Sequence, residues 1–308
     1  MGAEAAMQET REGPIVAIAG ATGNAGRAIV KEAARRGLSV RALVRDEARL
    51  GDARDACAEV RVVQVTDPAS LRGALDGVTY VISALGKTYQ KDATPRREVD
   101  VEANRYLFEE AKRAGVARAA LISVYGASHD HAAEMIRMKA EAEQALEESG
   151  VPFVIVQPSG FFSDMWEMFE MCRKGTLWTV GSDALRFNPI SLSDLAVFTL
   201  DCLLDDARVG TRQPVGGPDA LEVREIGALC GDILGREVRV RVVPLWLAKA
   251  GVGATRLFSR NLGQIGEFFV ESAAFGLRHD VLAPAHGEEH LAGYLRERWA
   301  KERVAASG

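Results

Sequence analysis

The stretch Ile15–Arg27 reads IVAIAGATGNAGR, and it runs directly into the helical sequence AIVKEAARR. Its first five residues are apolar and predict a buried strand, while the glycines that follow have the spacing G-x-x-G-x-x-G. Glycine permits a tight turn and lets bare backbone N–H groups approach a diphosphate where a helix begins. Because the glycines lie between a strand and a helix, the stretch predicts the pyrophosphate site of a dinucleotide rather than an ordinary turn. The candidate contacts in this loop are Gly20, Thr22, Gly23, Asn24 and Gly26.

Short β-branched runs alternate with longer amphipathic stretches from Pro14 onward. This alternation predicts repeated β-α units that close into a parallel sheet with helices on both faces. We therefore expect an α/β fold, a doubly wound parallel sheet of the Rossmann, NAD(P)-binding type, with a smaller C-terminal substrate lobe. Helices are predicted over Val99–Ala114 and Ala132–Ser149, each ending at a glycine, Gly115 and Gly150. The six predicted strands are Ile15–Ala19, Val40–Val44, Val60–Gln64, Thr79–Ser83, Ala119–Ser123 and Pro152–Val156.

The same pattern divides the chain into three parts. Residues 1–12 are predicted to be a disordered tail, and residues 13–158 the NAD(P)-binding Rossmann domain. Residues 159–308 are predicted to form the substrate-binding lobe, interleaved with the Rossmann domain around residues 188–216. The sequence has no internal repeat and no long linker, which is why the two parts are expected to be woven together.

The bulk composition excludes several classes of protein. The 308 residues include 38 Lys+Arg and 43 Asp+Glu, a formal net charge of −5 that argues against a polybasic nucleic-acid binder. The four cysteines lie far apart without a C-x-x-C pair, so neither a zinc site nor a disulfide framework is indicated. The opening MGAEAAMQETREG lacks the features of a secretion signal, and no uncharged apolar run approaches the roughly 20 residues that cross a bilayer. We expect a cytoplasmic protein without metal, transmembrane segment or nucleic-acid partner, of unknown oligomeric state.

The end of the second predicted strand decides between the two nicotinamide cofactors. The sequence there is Val44-Arg45-Asp46. Arg45 offers a planar, permanently charged fork suited to a 2′-phosphate, so NADPH is favoured. Asp46 offers an acceptor for a free 2′-hydroxyl, which keeps NAD as the less favoured alternative. Arg27 either assists at the same phosphate or is a solvated helix residue.

Three sequence blocks resemble the NmrA-like branch of the atypical short-chain dehydrogenase/reductases: GATGNAGR (20–27), VRALVRD (40–46) and DPASLRGALDGVTYVISALG (67–86). Later blocks, among them FNPISLSDLAVFTLDCL (187–203) and VLAPAHGEEHLAGYL (281–295), are similar to divinyl chlorophyllide reductase-like proteins. The resemblance implies an NADPH-binding domain, a smaller C-terminal lobe and hydride transfer to a small organic molecule. The expected substrate is an apolar or planar small molecule, either conjugated or not.

The resemblance also implies roles for individual residues. Ser83, Ala84 and Leu85 are implied to run beside the dinucleotide, and Lys139 to hold the nicotinamide ribose. Gln64 stands where the family usually has an aspartate against the adenine, and its amide can both donate and accept hydrogen bonds.

One departure from the resemblance concerns catalysis. Short-chain dehydrogenases use a Tyr-x-x-x-Lys pair on the helix after the fifth strand, with a serine at the end of that strand. A spacing of four residues places both side chains on one helix face, where the lysine lowers the tyrosine pKa and holds the ribose. Ser123 and Lys139 match the serine and the lysine, but the tyrosine position is Met135, which cannot donate a proton.

Three interpretations of this departure are open. In the first, hydride is still transferred and the proton comes from elsewhere, with Tyr125, Tyr89 and His131 as the nearest candidates. In the second, Lys139 itself orients substrate or water. In the third, the cofactor is bound but not consumed, and the protein is a redox sensor or assembly factor, as some NmrA-like proteins are. The enzyme is preferred, with Lys139, Ser123 and Tyr125 as the candidate catalytic residues.

Each of these residues also has a purely structural alternative. Lys139 lies four residues before Glu143, so the two side chains are spaced for an i,i+4 surface pair. Ser123 is placed to bond the backbone at a strand end. For Tyr125, packing in the interface between the lobes is the preferred interpretation.

Three stretches of the second lobe carry further signals. GFFSDMWEMFEMCRKGTLW (160–178) is dense in aromatic residues and methionine, and predicts either an apolar pocket for a planar substrate or a helix in the lobe core. PLWLAKAGVGATRLF (244–258) is apolar enough to touch a membrane, although packing helices are the ordinary explanation. His286, Glu289 and His290 match H-x-x-E-H, but Gly287 weakens a helix there, and the third ligand of such a site is expected well downstream whereas only 18 residues follow His290. No zinc site is therefore predicted. Asp67, before Pro68, is interpreted as a helix N-cap.

Overall fold

The computed structural model describes residues 13–86 and 94–307, and the tail predicted over residues 1–12 lies outside them. Short 3₁₀ segments cover Glu47–Ala56 and Asp206–Arg208, and a π-helical turn covers Glu98–Glu102. The strands are β1 (Ile15–Ala19), β2 (Ser39–Val44), β3 (Glu59–Val62), β4 (Tyr80–Ser83), β5 (Arg118–Ile122), β6 (Phe153–Pro158), β7 (Thr176–Val180), β8 (Arg186–Phe187), β9 (Thr211–Val215), β10 (Leu221–Glu222) and β11 (Arg239–Val243). The helices are α1 (Asn24–Arg35), α2 (Pro68–Leu71), α3 (Ala103–Arg113), α4 (Glu134–Ser149), α5 (Phe162–Arg173), α6 (Leu192–Leu204), α7 (Val223–Leu234), α8 (Leu245–Phe258), α9 (Arg260–Gly276) and α10 (Leu291–Ser307).

Seven strands form one parallel sheet in the order β3-β2-β1-β4-β5-β6-β9. Strands β2 and β3 are added on one side of β1, and β4, β5, β6 and β9 on the other. The strand order therefore reverses between β1 and β4. In open α/β sheets, ligands bind at such a switch point, outside the carboxyl ends of the strands. The sheet confirms the predicted doubly wound α/β fold of the Rossmann type.

The sheet has an apolar layer on each face. One layer includes Ile29 of α1 and Leu200 of α6, and the other includes Leu107 of α3 and Leu146 of α4, all with fully buried side chains. Burial on both faces explains why the central strands read as continuous apolar runs rather than as alternating ones. Because apolar layers cover both faces of the sheet, polar groups lie at its carboxyl edge.

The third strand ends two residues earlier in the structure than the sequence predicts. It was predicted over Val60–Gln64, whereas β3 stops at Val62. The backbone N–H of Gln64 donates to Ser70 Oγ at 2.9 Å, and its carbonyl accepts from the N–H of Asp67 at 2.9 Å. Because this turn uses both backbone groups of Gln64, the residue lies beyond the strand.

The observed ends of the helices agree more closely with their predicted positions than the end of the third strand does. The helix predicted over Val99–Ala114 begins instead as the π-helical turn and continues as α3, and the helix predicted from Ala132 begins as α4 at Glu134. Gly115 and Gly150 have φ values of 71° and 78°, the left-handed conformation expected of glycine after a helix. Asp67 accepts from the N–H of Ala69 at 2.9 Å with proline next in the chain, which confirms the predicted N-cap of α2.

The chain returns to the sheet after its second lobe has begun. Helix α6 packs against α1, and β9 pairs with β6 through Val156↔Gln213, making the sheet's seventh strand. A separate apolar cluster joins α5, α7 and α10 with Leu177 of β7. We propose that residues 159–308 form a C-terminal lobe, which is interleaved with the sheet domain around residues 188–216. Within residues 13–86 and 94–307, no helix combines the length and apolarity that crossing a bilayer requires.

Candidate functional site

The glycine loop lies between β1 and α1, and two of its glycines are required by close backbone contacts. Gly20 has φ 81°, and a side-chain carbon there would lie 2.6 Å from the carbonyl oxygen of Ala84. At Gly26 such a carbon would lie 2.1 Å from the carbonyl oxygen of Gly20. Both distances are far inside van der Waals contact, so only glycine fits either position.

The beginning of α1 offers backbone N–H groups to a ligand. Gly23 is its N-cap in extended conformation, and no side chain caps the helix. The N–H of Gly23 donates to the carbonyl of Gly20 at 3.0 Å, whereas Thr22 is half-buried and Asn24 is exposed. Uncapped N–H groups and the positive end of the helix dipole favour an anion at this place.

At the carboxyl end of β2, the arginine and the aspartate have different surroundings. Arg45 is exposed directly after the strand. One carboxylate oxygen of Asp46 accepts from the N–H of Ala48 at 3.0 Å and caps the 3₁₀ segment that follows. The Arg27 guanidinium lies against the same segment, 3.6 Å from where a side-chain carbon on Gly51 would be. The cap uses part of the hydrogen-bonding capacity of Asp46, while two basic side chains belong to the elements around this strand end.

The backbone after β4 lies against the glycine loop. The N–H of Ala84 donates to the carbonyl of Ala19 at 2.9 Å, and Leu85 is buried beside it. Ser83 is fully buried and donates its hydroxyl to the Asn104 side-chain carbonyl, so it faces the protein interior. Of the predicted residues at this strand end, Ala84 and Leu85 therefore border the loop through their backbone.

Lys139 of α4 reaches across to the sheet. Its ammonium donates to the carbonyl of Leu85 at 3.2 Å and to that of Ile122 at 3.5 Å, so it spans the ends of β4 and β5. The i,i+4 surface pair with Glu143 is not formed. The structure thus places a cation at the carboxyl edge of the sheet, next to the backbone that borders the glycine loop.

Ser123 belongs to a buried polar network that the sequence did not indicate. Its hydroxyl donates to the Glu143 carboxylate, and these residues are only 5% and 2% exposed. Glu143 also accepts from Gln157 Nε2 at 2.8 Å and from Arg212 Nε at 3.0 Å. Because the hydroxyl proton of Ser123 points at Glu143, its oxygen can offer only lone pairs to a ligand.

The candidate proton donors differ in their surroundings and in how readily they could supply a proton. Tyr125 is half-buried, and its N–H donates to the carbonyl of Pro158 at 2.9 Å. Burial lowers the pKa of His131, whose Nδ1 accepts from the N–H of Ala133 at 3.0 Å and whose ring lies 5.4 Å from that of Phe275. His131 is therefore a poor reservoir of protons at neutral pH. Tyr89 lies outside the described residues.

A fourth candidate proton donor, Asp164, was not predicted from the sequence. Asp164 follows β6 in the first turn of α5, and its carboxylate accepts from the N–H of Phe161 at 3.3 Å. Its side chain is exposed, yet enough protein surrounds it that desolvation raises the pKa of its carboxyl to about 6, against the opposing effect of the Phe161 N–H. Because β6 neighbours β5, Asp164 follows the same edge of the sheet that carries Ser123. No sequence motif distinguishes it, since only the fold supplies the desolvation.

The aromatic segment of α5 packs into the apolar cluster that joins α5, α7 and α10. Phe162, Trp166 and Phe169 are buried, with Trp166 stacked on Phe169 at 4.8 Å. Tyr294 of α10 contacts Phe162 at 5.5 Å between ring centroids, and Trp299 contacts Phe169 at 5.8 Å. These three side chains therefore belong to the buried cluster, as the core interpretation predicts, and a pocket lined by other residues of the stretch stays a prediction.

The three residues of the H-x-x-E-H pattern have separate partners. The His286 ring packs against Phe198 at 4.8 Å, Glu289 accepts from Ser193, and His290 pairs with Asp219 at 2.7 Å. Across residues 13–86 and 94–307, no group of three side chains suited to a metal ion is found.

Comparison with known proteins places these features in a wider group. The sequence profile of a family described as NAD(P)H-binding matches residues 20–206. The chain is 27% identical to the chloroplastic divinyl chlorophyllide a 8-vinyl-reductase of Oryza sativa subsp. indica, over 94% of this chain and 79% of that protein. It is 28% identical to the photosystem II assembly factor Ycf39 of Guillardia theta, over 75% and 73% of the two chains. The NADPH complex of the quinone oxidoreductase QOR2 from Escherichia coli has the same fold, with a TM-score of 0.74 at 19% identity, over 92% and 99% of the two chains.

Proposed function

The chain belongs to the NAD(P)H-binding family, and from this membership we propose that it is an NADPH-dependent reductase of the atypical short-chain dehydrogenase/reductase type, acting on an apolar, planar or conjugated small molecule. The observation that carries the proposal is the close packing of the glycine loop. A side-chain carbon at Gly20 or Gly26 would collide with backbone, so only glycine permits this tight turn, and no side chain caps the N–H groups at the start of α1. That arrangement suits a diphosphate, which accepts hydrogen bonds from bare N–H groups where a helix begins.

NADPH is the proposed cofactor, and it supplies a hydride when bound. The N–H groups after Gly20 would hold its pyrophosphate, and Ala84 and Leu85 would border the dinucleotide. Arg45 would select the 2′-phosphate, because the capping bond at Asp46 reduces what that carboxylate offers to a free 2′-hydroxyl. Gln64, exposed after β3, would lie toward the adenine.

Lys139 and Ser123 would organise the reacting end. The Lys139 ammonium is held between two strand ends by backbone carbonyls, so it presents its remaining donor to a ribose hydroxyl without a large loss of side-chain entropy. Ser123, whose proton is committed to Glu143, would accept from an N–H or O–H of the ligand. Lys139 therefore supplies positive charge and Ser123 a hydrogen-bond acceptor.

The proton of the reduction cannot come from Met135. Tyr125 and Asp164 are the proposed side-chain sources, and Asp164 is favoured because its pKa of about 6 keeps part of it protonated near neutral pH. A conjugated double bond suits this arrangement, since its reduction needs no strong acid beside a carbonyl oxygen. The rice relative is named as a vinyl-reductase, which is the same class of reaction.

A non-catalytic role is the second candidate. Two observations favour it: the methionine in place of the catalytic tyrosine, and the similarity to an assembly factor of photosystem II. In this role the protein binds NADPH without oxidising it. A location in the cytoplasm stays a prediction from the sequence, and the rice relative is chloroplastic.

Isothermal titration of Arg45→Ala against both cofactors tests the proposed binding mode. The substitution should weaken NADPH by about 1.5–3 kcal/mol and leave NADH nearly unchanged, because only NADPH carries the 2′-phosphate. Asp46→Asn is the matched control, since asparagine also caps helices and should preserve the preference for NADPH. An equal loss for both cofactors would contradict the assignment of Arg45. Oxidation of NADPH by quinones or conjugated vinyl compounds then separates the enzyme from the sensor.

A further inference from the structure

One surface of the C-terminal lobe combines exposed tryptophan with arginine. We name it the β11–α8 face and define it by Trp178, Arg239, Arg241, Trp246, Leu247 and Lys249. Trp178 is 56% exposed, Trp246 72% and Leu247 49%. Trp178 lies on the strand that pairs with β11, and Trp246 and Leu247 follow β11 within four residues. Large exposed apolar side chains of this kind are typical of a surface that binds something.

The strand part of this face follows from the pairing of β7 with β11. Leu177 and Val240 are register partners that face α7, where they lie within 3.5 Å of a side-chain carbon built on Gly227. Trp178 and Arg241 are the next pair, so alternation directs both to the opposite, exposed side of the two strands. An indole and a guanidinium therefore lie side by side on a surface that faces away from the lobe core.

The helix part lies on α8, which begins two residues after β11 ends. Val252 of α8 faces α9, where its side chain lies 3.1 Å from a side-chain carbon built on Gly266. Trp246, Leu247 and Lys249 are exposed on α8, and Lys249 pairs with Glu271 of α9 at 2.9 Å. Helix α8 thus turns apolar side chains toward solvent, the reverse of an ordinary surface helix.

The charge of this region is opposite to that of the whole chain. Residues 236–260 contain six arginine or lysine residues and one acidic residue, in a chain whose net charge is −5. A second copy of the same positive surface would repel it, whereas an anionic surface would attract it. Tryptophan prefers the boundary between headgroups and acyl chains, and basic residues beside it bind anionic headgroups.

From these observations we propose that the β11–α8 face docks on the surface of a bilayer that contains anionic phospholipids. Trp178, Trp246 and Leu247 enter the headgroup region, and Arg239 and Arg241 contact phosphate. The chain lies on the membrane without crossing it. The proposal is independent of the cofactor and of the reaction.

Flotation with vesicles tests the proposal on the full chain. Vesicles of equal parts phosphatidylcholine and phosphatidylglycerol should carry the protein upward at low salt, and pure phosphatidylcholine should carry about tenfold less. Emission of the exposed tryptophans should shift to the blue on binding and be quenched by brominated lipid. Trp246→Ser should weaken the partition by about tenfold, and Arg239→Gln with Arg241→Gln by a similar factor.

Leu204→Ser is the matched control, because Leu204 is 40% exposed but lies at the end of α6, outside the face. It should bind vesicles like the unchanged chain. Circular dichroism checks that every variant is folded. Absence of flotation with anionic vesicles at low salt would overturn the proposal, as would equal loss in Trp246→Ser and Leu204→Ser. Concentration-dependent dimerisation that Trp246→Ser abolishes, without vesicle binding, would identify a second copy as the occupant instead.

Discussion

Gly26→Ala is the substitution for which the structure predicts the largest local effect. The added methyl carbon would lie 2.1 Å from the carbonyl oxygen of Gly20, 2.8 Å from the carbon of that carbonyl and 2.9 Å from Ala21 Cα. All three atoms are backbone, so no side chain can rotate away. Relieving the first contact moves the loop by roughly 1 Å, which redirects the N–H groups that precede α1.

Two measurable losses follow from this displacement. Overpacking of this kind lowers the free energy of unfolding by about 1–3 kcal/mol. Displaced N–H groups lose one or two charge-assisted hydrogen bonds to the diphosphate, about 3 kcal/mol together, which is about a hundredfold in Kd. Because the pyrophosphate is common to both cofactors, NADPH and NADH should weaken by the same factor.

Urea unfolding and isothermal titration measure the two losses on the same variant. Gly293→Ala is the control, since an added carbon there meets no atom within 4 Å and the residue lies exposed in α10. That variant should be neutral or up to about 1 kcal/mol more stable, with unchanged cofactor affinity. If folded Gly26→Ala bound NADPH within twofold of the unchanged chain, the loop would not be the pyrophosphate site.

Three further predictions address the reacting end. Lys139→Met should lower turnover with the urea transition preserved, and unchanged turnover would remove its proposed role. If Asp164 is the acid, the rate falls as pH rises through about 6, since the protonated form must donate; Asp164→Asn should abolish this limb of the pH–rate profile, and Tyr125→Phe should leave it in place. Glu143→Ala leaves two buried donors, Ser123 and Gln157, unpaired and removes one partner of the exposed Arg212, so it should lower the free energy of unfolding by about 3 kcal/mol. Glu147→Ala, at a partly exposed carboxylate, should change it by less than about 1 kcal/mol.

The buried network around Glu143 adds a second difference from the resemblance noted in the sequence, beside the methionine at position 135. By that resemblance Ser123 matches the short-chain dehydrogenase serine, but its hydroxyl proton is committed to a carboxylate on α4. Arg212, on β9, holds that carboxylate from the edge of the sheet. The serine is thus an acceptor here, which agrees with a reduction that obtains its proton from another group.

Local sequence determined the parts of this protein that depend on neighbours in the chain. Backbone conformation and helix capping act over a few residues, so Gly20 and Gly26, the N-cap at Asp67 and the left-handed Gly150 were predictable. Burial on both faces of a parallel sheet also leaves a direct mark, and six strands were found from their apolar runs.

Tertiary structure alone decided what depends on residues far apart in the chain. Arg212 and Glu143 are 69 positions apart, and no periodicity links them before β9 joins β6. The raised pKa of Asp164 also comes from the surrounding protein and not from its neighbours in the chain. Likewise, the aromatic side chains of α5 line a pocket or form a core depending on whether α10 covers them. Hydrophobicity requires that such side chains be buried but does not specify the partner, because the hydrophobic effect has no direction and only the completed fold supplies the opposing surface.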